Sequence, residues 1–171
     1  MQTTISLFML AGLLLADKTP ESAWMKVTLR EGGFMVIAPG APVEQPPQLQ
    51  QVRYGRVIYH LYTLNTPNAF YYVAYAEMNN GKVDLPSYTF RDMRSKFLKS
   101  RKAEVTDERT VTLDGMYGSD LTAKTAEGGV LRVRTYVGKQ RAYQFGVAAD
   151  KENASSPDLG RFMASFKLLP R

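Results

Sequence analysis

The chain contains no cysteine, and among its 171 residues there is a single histidine, His60. Without cysteine there is no disulfide framework and no thiolate metal site. Zinc would need carboxylates for nearly all of its ligands, and structural or catalytic zinc sites are rarely built that way. The catalytic signatures are missing too. There is no G-x-S-x-G elbow, no G-x-G-x-x-G loop and no Walker lysine pattern. A hydrolase serine and a nucleotide phosphate therefore both lack their usual cradle. Calcium has no D-x-D-x-D-G loop. The sequence predicts no metal, no cofactor and no enzyme, and it shows neither an internal repeat nor a low-complexity segment.

What is present fits a folded domain. An apolar share of 44% is enough to build a core, and the length fits one domain. The formal net charge of +6 favours anionic partners: nucleic acid, an acidic membrane face or an acidic protein. That is a long-range attraction and names no site.

The first residues read differently from the rest. Ile5 to Ala16, ISLFMLAGLLLA, carry no charge. The run is too short to span a bilayer with ease and has the length of a signal-peptide apolar region. Against that reading, no Lys or Arg precedes it, and Leu14 stands where a small residue is preferred before a cut after Ala16. The expectation is an export signal, cleaved or retained, and a periplasmic or secreted protein; a buried N-terminal helix is the alternative. No cysteine follows to carry a lipid anchor. Residues 17–23, DKTPESA, form a polar linker, and residues 24–171 a single domain.

From Trp24 the pattern is strands and turns. Trp24 to Leu29 alternates, Glu31-Gly32-Gly33 punctuates, and Phe34 to Ile37 is a short apolar run. Pro39-Gly40-Ala41-Pro42 ends it, because proline cannot donate to a ladder. Pro46-Pro47 holds the chain extended. Leu49 to Tyr54 and Arg56 to Leu64 form a hairpin about Gly55. After a turn at Asn65-Thr66-Pro67-Asn68, Ala69 to Glu77 (AFYYVAYAE) is apolar on both faces and reads as a central strand.

The period then changes. Phe90, Met93, Phe97 and Leu98 make one stripe of a helix over Ser87 to Lys102, opposite a basic face. Four strands follow, Glu104–Leu113, Ser119–Ala126, Val130–Val137 and Arg141–Ala148, joined at Asp114-Gly115, Glu127-Gly128-Gly129 and Gly138-Lys139. Those residues tolerate positive φ, and the result is an antiparallel meander. Ser156-Pro157-Asp158 opens a closing helix whose apolar face carries Leu159, Phe162 and Phe166. The fold class is α+β: one antiparallel sheet of about six or seven strands with helices packed on it.

Two short motifs carry a family likeness. The segment Gly33-Phe34-Met35-Val36-Ile37-Ala38-Pro39-Gly40-Ala41-Pro42 precedes the strands, and Arg161-Phe162-Met163-Ala164-Ser165-Phe166 closes the last helix. In these the chain resembles small exported bacterial domains of uncharacterised function and, more distantly, the Mog1/PsbP-like fold, an α/β/α sandwich. The resemblance covers the order of elements over residues 24–169. Members of that fold are binding or assembly factors that share no single ligand. It implies a non-catalytic accessory role and transfers no functional residue, since fold does not fix function.

Candidate side chains are few. His60 alternates with Ile58, Tyr62 and Leu64 on a strand, without the nucleophile and orienting partner that catalysis needs. Asp114, Asp120, Glu127, Asp150, Glu152 and Asp158 fall mainly at turns and caps, and spacing alone leaves carboxylate pairs open. Two basic features remain. One is the helix face Arg91, Arg94, Lys96, Lys99, Arg101 and Lys102. The other, on the last hairpin, is Arg132, Arg134, Lys139 and Arg141, interleaved with Tyr136 and Tyr143. Such interleaving can bind single-stranded nucleic acid, although an exported protein rarely meets it and no RNP-like run occurs. Ten tyrosines suit half-buried strands or a binding surface.

The leading expectation is an exported accessory domain whose partner is a protein or an anionic envelope component, with a membrane met only through an uncleaved N-terminal segment. The alternatives are a carrier with a tyrosine-lined pocket between sheet and helix, and a hydrolase using His60 or paired carboxylates.

Overall fold

The computed structural model describes residues 24–52, 55–78, 94–95, 98–139 and 141–170. The apolar run, the linker and most of the basic helix therefore lie outside the described residues. Among the described residues no helix is long and apolar enough to cross a membrane.

Two antiparallel sheets are formed. The smaller joins β1 (Met25–Leu29), β2 (Phe34–Ala38) and a two-residue β10 (Lys167–Leu168) in the order β1-β2-β10. The larger contains β3 (Val43–Val52), β4 (Gly55–Asn65), β5 (Phe70–Met78), β6 (Ala103–Leu113), β7 (Met116–Thr125), β8 (Val130–Val137) and β9 (Arg141–Ala149). Their order is β3-β4-β5-β9-β8-β7-β6. The predicted meander is there as β6 to β9. Its first turn has both Asp114 (φ 47°) and Gly115 (φ 79°) in the left-handed region, the geometry that matches the twist of a two-residue hairpin.

β5 is apolar on both faces as expected: Tyr71 to Ala76 are all buried. The middle of the sheet is β9, buried from Ala142 to Ala149.

The register decides which side chains share a face, because directly opposite residues on paired strands point the same way. One row crosses all seven strands: Glu44, Tyr62, Val73, Phe145, Arg134, Asp120, Arg109. The row beside it runs His60, Tyr75, Tyr143, Tyr136. Over these rows lie β2 and the helix α1 (Pro157–Ala164). Ser156 caps α1 by accepting from the Asp158 amide at 3.3 Å, with Pro157 at the first position.

Leu159, Phe162 and Met163 are buried beneath α1. Just past its end, Phe166 stacks on Phe145 at 4.5 Å and on Phe34 at 5.3 Å. Ser165 ties helix to strand, its Oγ accepting from the Ile37 amide at 2.9 Å. The opposite face packs Leu121, Ala123, Leu131, Val133 and Ala148 against Phe70, Leu98 and Ala103.

Two expectations change, and the predicted helix stands in its described part. A single sheet covered by helices becomes two sheets, because β2 alternates Phe34, Val36 and Ala38 inward and does on one face what a helix was expected to do. Of the helix over Ser87 to Lys102, the described residues 94–95 and 98–100 are helical. The hairpin strand begins at Val43 and runs through Pro46-Pro47. β3 is an edge strand, so its outer row has no ladder to lose, and the register shifts between Gln45 and Gln48 where the prolines sit. Gly55 starts β4 opposite Val52, and the intervening residues 53–54 lie outside the described ones.

Candidate functional site

Four chain segments meet at one end of the large sheet: the β4-β5 turn, the β7-β8 turn, the start of the β9-α1 loop, and the end of the basic helix. The β4-β5 turn is closed by Thr66, whose amide donates to the Ala69 carbonyl at 2.9 Å while its Oγ1 accepts from the Ala69 amide at 3.0 Å. In the β7-β8 turn the Gly128 amide donates to the Thr125 carbonyl and the Gly129 amide to Thr125 Oγ1, both at 3.0 Å. In the third segment Asp150 Oδ1 accepts from the Asn153 backbone amide at 3.0 Å and its side-chain amide at 2.9 Å. The helix stops with tightened bonds, Arg101 N to Leu98 O at 3.3 Å and Lys102 N to Lys99 O at 3.1 Å.

Lys102 then takes φ 47° to turn the chain into β6. Glycine is the usual residue at such a left-handed helix exit. A lysine there costs about 1 kcal/mol of backbone strain.

These segments enclose an open cleft of about 560 Å3. Half-buried Phe70 lies at its base above the buried Leu131 and Ala148, and its rim carries Arg101, Lys102 and Lys151 against Glu127 and Asp150. All three cations are exposed. The Arg101 guanidinium lies 5.6 Å from the Phe70 ring centre, within cation-π range. The cleft can therefore hold an anionic group over an apolar surface.

Two of the predicted basic helix residues, Arg101 and Lys102, line this cleft, and Lys99 is exposed beside them. Arg94 instead reaches Glu108 on β6 at 2.6 Å. Arg91 and Lys96 lie outside the described residues. Lys151 escaped the sequence reading; its only signal was a cation just beyond an apolar strand end.

The rings of the second predicted surface are buried, while among its cations Lys139 is exposed and Arg141 is half-buried. Tyr136 is 6% and Tyr143 5% exposed, and the Tyr143 hydroxyl donates to the Gly32 carbonyl at 3.0 Å beneath the small sheet. Arg134 turns inward, donating to Asp120 at 2.7 Å and to the Met163 carbonyl at the end of α1 at 3.2 Å. Arg141 pairs with Glu77 at 3.4 Å, and Arg132 is half-buried on the same face. Stacking bases have no access to these rings. Burial pushes the Asp120 carboxyl up, but hydrogen bonds and charges from Arg134 and Arg109 prevail and hold it below the usual aspartate value.

His60 stacks on Tyr75 at 4.3 Å with the rings nearly parallel, and its Nε2 stands 3.7 Å from Glu77, beyond hydrogen-bond reach. The tyrosines expected to line a pocket pack against other rings; Tyr71 meets Phe162 at 5.0 Å. Burial, with the charge of Asp158, pushes the Tyr71 hydroxyl up to about 12, and burial raises Tyr72 further. The space left beside Tyr62, Tyr71, Tyr72 and Phe162 is about 10 Å3, at or below what one water needs. Among the described residues no three His, Asp or Glu side chains converge on a point where a metal could sit.

No family model and no curated protein sequence matches the chain. Similarity is found in three dimensions. Cyanobacterial PsbP (CyanoP) from Synechocystis superposes with a TM-score of 0.55 at 12% identity, covering 95% of this chain and 98% of its own. A Pseudomonas aeruginosa protein of unknown function matches at TM-score 0.40 and 11% identity over 73% of this chain and 97% of its own, too distant to bear on the assignment. The chain has a PsbP-like fold.

Proposed function

We propose that the protein is an exported, non-enzymatic accessory domain that binds another protein or an anionic component of the cell envelope. The observation that carries this reading is the end cleft, where separate chain segments bring Arg101, Lys102 and Lys151 to one rim. Its polar groups support binding rather than bond breaking: Thr66 and Thr125 are engaged in holding their turns, and Asp150 caps Asn153. The uncharged run Ile5 to Ala16 supports export. The packed rings under α1 favour contact at the surface over carriage of a molecule inside.

Fractionating cells that express the tagged full chain, and capturing it from each fraction at low and high salt, tests the proposal. The expected result is an envelope or extracellular location and a reproducible, salt-sensitive partner. A cytoplasmic protein without a partner would refute it.

A further inference from the structure

We propose that the end cleft takes an extended acidic segment of a partner protein, seating an apolar side chain against Phe70 and its carboxylates on Arg101, Lys102 and Lys151. This rests on the binding role proposed above and names the chemistry of the ligand. The cleft is open, so a chain can enter and leave it, and at about 560 Å3 it lies within the usual range for ligand sites. The three cations come from two segments and stand around Phe70, so they suit carboxylates spaced by a hydrophobic residue.

Arg101 adds its charge to the rim, and the lysines act as point charges. Glu127 and Asp150, both exposed on the same rim, repel an uninterrupted row of phosphates or a flat anionic membrane. Peptide acids can be spaced to avoid both carboxylates. Lys102 adds an independent sign, since a lysine occupies a left-handed position where glycine would sit without strain.

The test is fluorescence anisotropy on the full chain with a labelled peptide Glu-Leu-Glu-Glu-Leu-Glu, in parallel with phosphatidylglycerol vesicles and single-stranded oligothymidine. The peptide should bind best. Combining Lys102→Gly with Lys151→Ala should weaken it about tenfold, the worth of two exposed charge pairs. Lys139→Ala, an exposed change at the opposite end of β8 and β9, should leave binding unchanged, and thermal melts of all variants should match the parent. Unchanged affinity in the double variant overturns the proposal, as does equal loss with Lys139→Ala or a preference for vesicles or oligothymidine. If such a result came with a captured partner, the cleft would fail and the binding role would stand; peptide binding in a chain that captures nothing from cells would do the reverse.

Discussion

The rings beneath α1 and the cleft at the sheet's end both bring cations to aromatic side chains, and they do opposite things with them. Under α1, Arg134 lies 6.0 Å from the Phe145 ring and is turned onto Asp120 and a helix carbonyl. At the cleft, Arg101 sits over Phe70 with its neighbours facing water. Whether a cation serves the fold or a partner is set by what the register places above it, and not by which residues alternate with it along the strand. One region is closed by a helix and a second sheet; among the described residues the other is bordered by turns and the end of the basic helix.

Breaking the closed region should produce the largest effect. Phe145→Ala removes a ring that is fully buried and stacked on Phe166. It should cost about 3–5 kcal/mol in urea unfolding, while peptide affinity at the cleft survives in the fraction that stays folded.

Asp120→Asn should cost about 1.5–3 kcal/mol by weakening charged hydrogen bonds to Arg134 and Arg109. It should also alter the acid limb. The folded Asp120 carboxyl holds its proton less tightly than the unfolded one, so its contribution is present above the ordinary aspartate value and is lost as pH falls through the lower folded value. Stability measured from pH 5 down to pH 2 should therefore decline less steeply in the variant.

Gly146→Ala sharpens the same contrast from the far face of the sheet. A Cβ there would stand 2.6 Å from the Arg132 carbonyl oxygen and 2.8 Å from the Tyr72 ring. The penalty expected in thermal unfolding is about 1–3 kcal/mol. Lys102→Gly should do least to stability, changing it by less than about 1 kcal/mol in the same assay. Relief of the left-handed strain offsets the extra entropy of glycine in the unfolded chain.

The strands were legible because alternation and turn chemistry are local: Ala69 to Glu77 and the Asp114-Gly115 hairpin lie where they were read. The likeness carried by Gly33 to Pro42 and Arg161 to Phe166 reflects packing, since Phe34, Phe162 and Phe166 meet over Phe145, Tyr71 and Tyr143. Other features were not legible for physical reasons. A period of two says that Arg132, Arg134 and Tyr136 share a face, and it is silent on which face a distant helix will cover. β10 is two residues long and exists only because α1 delivers it to β2. Lys151 meets Arg101 and Lys102 only after the sheet brings the ends of β4, β7 and β9 together.

The most direct measurement is chemical-shift mapping of the 15N-labelled full chain titrated with the acidic peptide. The account predicts saturable shifts concentrated at residues 65–70, 100–102, 125–129 and 149–151. Shifts centred on Arg132, Arg134, Tyr136, Arg141 and Tyr143 would contradict it.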